Sequence, residues 1–133
     1  MSENNTTTGE SKNDTAREQA RAQLASIVEM VAALDRDFDD ETAREAIQAA
    51  PLEIQVRSDW HTPGETPGAA EYMILLCTGR PAVRIVGELD GSQPERARIE
   101  FQDWGTPWTE LVDITHAESD ALLRYAQVFY FGE

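Results

Sequence analysis

The spacing of apolar residues divides the chain into a helical first part and a strand-rich second part. From Ala20 to Leu34, apolar residues recur every three or four positions, which predicts an amphipathic helix over about residues 15–35. Thr15 and Glu18 have the spacing of a capping box, in which each side chain satisfies a free backbone donor. We therefore expect this helix to begin at Thr15.

A shorter second helix is expected next, so that residues 14–51 form a helical hairpin. A start near Asp39 or Asp40 would place carboxylates at the positive end of the helix dipole, and Pro51 would end the helix. Residues 1–13 are polar and contain almost nothing to bury, so they are predicted to be a disordered tail.

The apolar period changes to two at Leu52. Leu52, Ile54 and Val56 alternate with polar residues, which predicts a strand with these three side chains buried. Three further strands joined by short turns are predicted at about residues 71–78, 82–89 and 96–102, with a short fifth at 109–114. Because strands joined by short turns run antiparallel, residues 52–114 should form a meander of four to five strands.

The last segment is predicted to be a helix that packs on this sheet. Thr115 and Glu118 form a second capping-box pattern, and an apolar stripe follows within residues 115–131. The predicted class is α+β, with a single domain over residues 14–133. The apolar end of the chain, Val128–Phe131, is expected to dock into the core; the alternative is that this helix mediates self-association.

The net negative charge of the chain limits which macromolecules it could bind. The 133 residues carry 25 Asp and Glu against 11 Lys and Arg, a formal net charge of −14. Such a surface repels nucleic acid and anionic membranes, and it suits a basic protein partner. The densest acidic patch, a candidate partner-binding site, consists of Glu29, Asp35, Asp37, Asp39, Asp40, Glu41 and Glu45. The alternative is that the charge only maintains solubility.

Three tryptophans lie in predicted loops, beside polar residues. Exposed Trp60, Trp104 and Trp108 could anchor a partner, because each buries a large apolar area with few rotors to freeze; alternatively, Trp104 and Trp108 cap the core. Asp103, beside Trp104, is predicted to belong to the same partner-binding surface. A second hypothesis is that the loops carrying Trp60–His61 and Asp103–Trp104 meet in a concave pocket of a small enzyme or ligand-binding protein.

Recognisable catalytic chemistry is weak in this sequence. His61 and His116 lack metal-ligand spacing, and Cys77 lies in an apolar strand. No serine has nucleophile-elbow flanks, and no Gly-rich phosphate loop is present. We therefore predict no catalytic residue, metal or cofactor. No apolar run approaches the roughly 20 residues that span a bilayer, so a cytoplasmic location is expected.

Three segments carry a resemblance to a known family. Ile74–Asp90, Phe101–Thr109 and Tyr130–Glu133 resemble a family of small acidic proteins carried on bacterial plasmids, prophages and integrated elements, and the similarity covers roughly residues 52–133. The family has no established active site, so the resemblance assigns no residue a role. It implies a setting in which small acidic proteins inhibit restriction or CRISPR defence complexes.

Together, charge and setting favour a non-enzymatic inhibitor of a nucleic-acid-binding host-defence protein. Its acidic face would occupy a basic surface, without direct contact to nucleic acid or membrane. The protein itself would be a monomer or a homodimer.

Overall fold

Helices at both ends of the chain enclose a run of strands. The computed structural model describes residues 8–36, 41–65, 68–79, 81–103, 105–129 and 131. The helices are α1 (Thr8–Arg36), α2 (Glu41–Ala49) and α3 (His116–Ala126). The strands are β1 (Glu53–Arg57), β2 (Glu71–Cys77), β3 (Ala82–Asp90), β4 (Gln93–Pro94), β5 (Arg98–Gln102) and β6 (Thr109–Glu110). The predicted α+β class is confirmed.

The strands form one antiparallel meander in the order β1-β2-β3-β5-β6. Residues 93–94, which we placed in a turn, instead form the two-residue strand β4, which pairs with the end of β3. The sheet therefore has six strands rather than four or five, and the last of them is only two residues long.

One face of the sheet is covered by helices. Burial alternates along β2, β3 and β5, so that every second side chain lies in the core. The helix α1 packs against β3, β5 and α3, and its buried residues recur at helical spacing. They are Ala16, Ala20, Leu24, Ile27, Val31 and Leu34. The predicted amphipathic stripe is confirmed.

The C-terminal segment belongs to this core. Thr115 Oγ1 accepts a hydrogen bond from the Glu118 amide at 3.0 Å, and Glu118 Oε1 accepts one from the Thr115 amide at 2.8 Å, so the second capping box is confirmed. Beyond α3, Phe129 and Phe131 are buried, and the Phe131 ring lies 4.9 Å from that of Tyr72. Because the apolar stripe is already packed, self-association through this helix is not supported.

The predicted start of α1 is wrong. The helix begins at Thr8, so residues 8–13, which we assigned to the disordered tail, are helical. Once the buried part of a helix has formed, each added residue gains a backbone hydrogen bond at little further cost, which allows polar turns to extend it. Residues 1–7 and the predicted α2 start at Asp39 or Asp40 lie outside the described residues; α2 is described from Glu41.

The predicted burial of β1 is also wrong. All five residues of β1 are exposed, as is Leu52 before it. Pairing with Ile74 and Tyr72 places Ile54 and Val56 on the helix side of the sheet. However, β1 lies two strands beyond β3, or about 10 Å at the usual strand spacing. Since α1 lies over β3 and β5, it does not cover these side chains.

A close backbone approach fixes the turn between β3 and β5. A β-carbon at Gly87 would overlap the carbonyl of Arg96, and the Tyr72 hydroxyl donates a hydrogen bond to that carbonyl oxygen at 2.6 Å. Only glycine fits between these groups. Burial raises the pKa of Tyr72 well above its usual range.

Replacing this glycine should be costly. We expect Gly87→Ala to lower the free energy of unfolding by about 3 kcal/mol, because the added methyl group has no room. Gly68→Ala is the matched control, since a β-carbon there meets no atom within 4 Å. Urea denaturation of both variants tests this; equal stabilities would contradict the close approach.

The two buried tyrosine hydroxyls should respond oppositely to removal. Tyr72→Phe should cost about 1 kcal/mol by losing its hydrogen bond. The Tyr125 hydroxyl has no hydrogen-bond partner among the described residues, so Tyr125→Phe should be neutral or stabilise by up to about 1 kcal/mol.

The Tyr125 hydroxyl should also make the stability of the protein depend on pH in the alkaline range. Burial raises the pKa of Tyr125 to about 12, whereas tyrosine in the unfolded chain ionises at about 10, so the free energy of unfolding falls as pH rises above about 10. The phenylalanine variant should therefore lose less stability than the parent between about pH 10 and 12. Chemical denaturation across this range provides the measurement, and identical alkaline profiles would contradict the assignment.

Candidate functional site

The face of the sheet opposite the helices carries three matched ion pairs. They are Arg57–Glu71, Arg84–Glu100 and Arg98–Glu88. The second pair is the least exposed, with 2.8 Å between an arginine nitrogen and Glu100 Oε1, and the third spans 3.3 Å. All of these residues except Glu88 line a shallow concavity of about 350 Å³, together with apolar residues such as Met73 and Val86. We call this surface the open face.

Trp108 contributes to the open face. The guanidinium of Arg84 lies 4.0 Å from the centre of a Trp108 ring, in a cation–π contact. Trp108 is therefore half-buried and engaged within the protein, rather than presented as a free anchor. This contact lies on the face opposite the helix-covered core, and the two roles considered for Trp108, partner anchor or core cap, stay predictions.

Further arginines are engaged elsewhere. Arg21 contacts Asp113 at 3.2 Å and Glu118 at 3.5 Å, which joins α1 to the start of α3. Arg17 lies over the ring of Phe101, with 5.2 Å between its guanidinium carbon and the ring centre. The positive charge of these side chains is thus used to connect elements of the fold.

One carboxylate of the predicted acidic patch forms an ion pair with an arginine, and the other described ones do not. Asp35 Oδ1 lies 3.1 Å from an Arg124 nitrogen, which ties the end of α1 to α3. Glu29, Glu41 and Glu45 are exposed and have no ion-pair partner among the described residues. Asp37, Asp39 and Asp40 lie outside the described residues.

Other exposed carboxylates surround the molecule. In the described part of the chain, those without an arginine partner are Glu18, Glu53, Asp59, Glu65, Asp90, Glu95, Glu110 and Asp120. Glu18 and Asp120 lie in helices and the others in turns and at strand ends, and all are exposed, whereas the acids of the open face are half-buried. The outer surface therefore carries most of the uncompensated negative charge.

The two loops predicted to form a pocket lie at opposite ends of the sheet. Trp60 and His61 follow β1, whereas Asp103 follows β5. Three successive antiparallel pairings separate β1 from β5, so these two strands run in opposite directions. The carboxyl ends of β1 and β5 therefore lie at opposite ends of the sheet. The prediction that these loops meet is wrong, and Trp104 lies outside the described residues.

Asp103 is buried, and its backbone forms hydrogen bonds within the turn that follows β5. Its amide donates a hydrogen bond to Thr106 Oγ1 at 3.0 Å while its carbonyl accepts one from the same hydroxyl at 2.8 Å. The Gln102 side chain also donates to the Thr106 carbonyl. These bonds hold the turn between β5 and β6, so Asp103 is not accessible to a docked partner.

The sequence analysis missed an apolar surface along β1. Leu52, Ile54 and Val56 are 60%, 39% and 46% exposed, and Trp60 in the following loop is fully exposed. Four of the five large apolar side chains that the structure exposes in its described part lie in this segment, the fifth being Val112. The order of the strands could have revealed this exposure, because the first strand of a meander lies at the edge of the sheet.

No described residues form a recognisable reactive centre. His61 and His116 are both exposed, and His116 contacts only Asp120, at 3.6 Å. Within the described ranges, no group of three or more His, Cys, Asp or Glu side chains could hold a metal ion. The described helices likewise include none that is long and apolar enough to cross a membrane.

Comparisons with protein-family models, curated proteins and solved structures give no match to this chain.

The two described tryptophans should differ in their effect on stability. Trp108→Ser should lower the free energy of unfolding by about 1–2 kcal/mol, through loss of the contact with Arg84 and of buried area. Trp60→Ser should change it by less than about 0.5 kcal/mol, because the side chain contacts nothing. Thermal and urea denaturation measure both; a large loss at Trp60 would contradict its exposure.

Proposed function

We propose that this protein is a non-enzymatic acidic binding protein that inhibits a nucleic-acid-binding host-defence protein, of the anti-CRISPR or antirestriction type. The observation that carries the proposal is that arginines and carboxylates differ in how many of them form ion pairs. Several arginines are drawn into internal ion pairs, as at Arg84–Glu100 and Arg124–Asp35, whereas Glu29, Glu41 and Glu45 have no arginine partner among the described residues. The exposed residues Arg36, Arg44 and Arg96 also have no ion pair among the described residues, but the carboxylates without an ion pair outnumber them.

This distribution favours a basic partner. An arginine that is already paired adds little positive potential outside the protein, so the unpaired carboxylates dominate the external field. A basic groove that normally holds nucleic acid would be attracted to this surface, and association would be steered over long range.

The spacing of carboxylates on α2 suits the same target. Glu41 and Glu45 are one helical turn apart, or about 6 Å along the axis. Two nucleotide steps on one DNA strand rise by about 6.8 Å, so the two repeats are similar. Glu41 and Glu45 can therefore face basic side chains that normally contact alternate phosphates of one strand, although Arg44 on the same helix reduces the local negative charge.

The described residues offer less support for an enzyme. His61 lies at the opposite end of the sheet from Asp103 and Cys77, and the concavity of the open face is lined by arginines and glutamates of opposite charge. We place the protein in the cytoplasm, where its proposed target acts.

A pulldown from a nuclease-treated lysate of a bacterium that has restriction and CRISPR systems tests the proposal. We expect a nucleic-acid-binding protein of such a system to be retained and to be released by its own DNA or RNA ligand. The affinity should fall by about tenfold or more between ~50 and ~200 mM salt. Retention that nucleic acid and salt leave unchanged would contradict the proposal.

A charge-matched pair of variants locates the surface. E41Q/E45Q should weaken binding about fivefold or more, because each lost carboxylate removes a contact of about 0.5–1 kcal/mol. E95Q/E110Q removes the same charge elsewhere and should have a smaller effect. Isothermal titration with the purified partner provides the measurement; equal losses would indicate that only net charge matters.

A further inference from the structure

We propose that the free edge of β1 is a self-association site, at which two copies of this chain pair β1 against β1 in antiparallel orientation. The sheet would then continue across a two-fold axis. The partner that this edge fits is a second copy of the protein, and the argument rests on the order of residues in the strand.

The edge is unprotected. Among the described residues, β1 pairs only with β2 and ends the sheet, and no described strand pairs with its outer backbone groups. Ile54 and Val56 are exposed apolar side chains on the helix side, where soluble proteins usually place charges or proline on an edge strand. The opposite edge, β6, is only two residues long and offers no comparable template.

The strand is complementary to itself. When two copies pair about Gln55, Glu53 lies opposite Arg57 of the second copy, and Ile54 lies opposite Val56 of the second copy. The two-fold axis repeats each contact, so the pairing has two ion pairs on one face and two apolar pairs on the other. Cross-strand pairs of both kinds stabilise antiparallel sheets.

Neighbouring registers lack this match. Pairing about Ile54 would place Glu53 opposite Gln55, and pairing about Val56 would place Glu53 opposite Asp59 of the second copy, which is repulsive. Only the register centred on Gln55 gives both charged residues of β1 an oppositely charged neighbour. The sequence of the strand therefore selects one arrangement.

Charge also distinguishes a second copy from the basic target proposed above. Glu53 and Arg57 carry opposite charges, so β1 itself has no net charge, although Arg57 also contacts Glu71 of β2. A basic surface gains nothing from it, whereas another acidic copy meets the least repulsion here. Because a single strand pairing buries a small area, the dimer should be weak and concentration-dependent.

Two single variants and their mixture test the pairing. Glu53→Arg places two arginines opposite each other in its own homodimer, and Arg57→Glu places two glutamates opposite each other. Each variant alone should be monomeric in analytical ultracentrifugation, at concentrations where the parent protein dimerises. An equimolar mixture should recover the dimer, because every charge then meets its opposite while the total charge equals that of two parent chains.

An apolar pair of variants supplies the control. Val56→Lys should abolish dimerisation, and Val112→Lys, which changes another exposed valine outside the strand, should not. Circular dichroism and melting temperature establish that each variant is folded. A parent protein that stays monomeric at all concentrations overturns the proposal, as does a mixture that fails to pair. Neither result affects the proposed binding to a basic partner.

Discussion

The width of one helix relative to the sheet determines most of this structure. A helix is about 10 Å across, which covers roughly two strands spaced by about 4.8 Å. In this protein α1 lies over β3 and β5, with α3 beside it. The core forms beneath these helices, and β1 is left beyond them. The apolar side chains of β1 are therefore exposed because of their position in the sheet, although their alternation is that of a half-buried strand.

The arrangement of charge follows from the same architecture. The open face has no helix over it, and its half-buried positions hold arginines paired with glutamates on neighbouring strands, as at Arg84–Glu100. Other arginines join the helices, as at Arg124–Asp35. Several of the few basic residues are thus used within the fold, and among the described residues the exposed carboxylates without an ion pair outnumber the arginines without one. This difference is the physical basis for the proposal of a basic partner.

Local patterns in the sequence predicted the elements well and their surroundings less well. Helical spacing identified the buried stripe of α1, and the Thr115–Glu118 spacing identified the start of α3, because both depend on residues close in sequence. Alternation in β1 correctly placed Ile54 and Val56 on one face, but it contains no information about whether another element covers that face. The ion pair of Asp35 with Arg124, distant in sequence, and the opposite directions of β1 and β5 depend on tertiary structure and could not be read locally.

Recognition through surfaces, rather than chemistry in a pocket, is the account that these features support: acidic helices for a basic target and a neutral edge strand for a second copy. Hydrogen–deuterium exchange followed strand by strand tests its central claim, that β1 is an uncovered edge that becomes paired. The account predicts that amides of residues 53–57 exchange much faster than those of β3 in dilute protein, and that they become slower as concentration rises while β3 is unchanged. Amides of β1 that are as protected as those of β3 in dilute protein, or that do not respond to concentration, would contradict it.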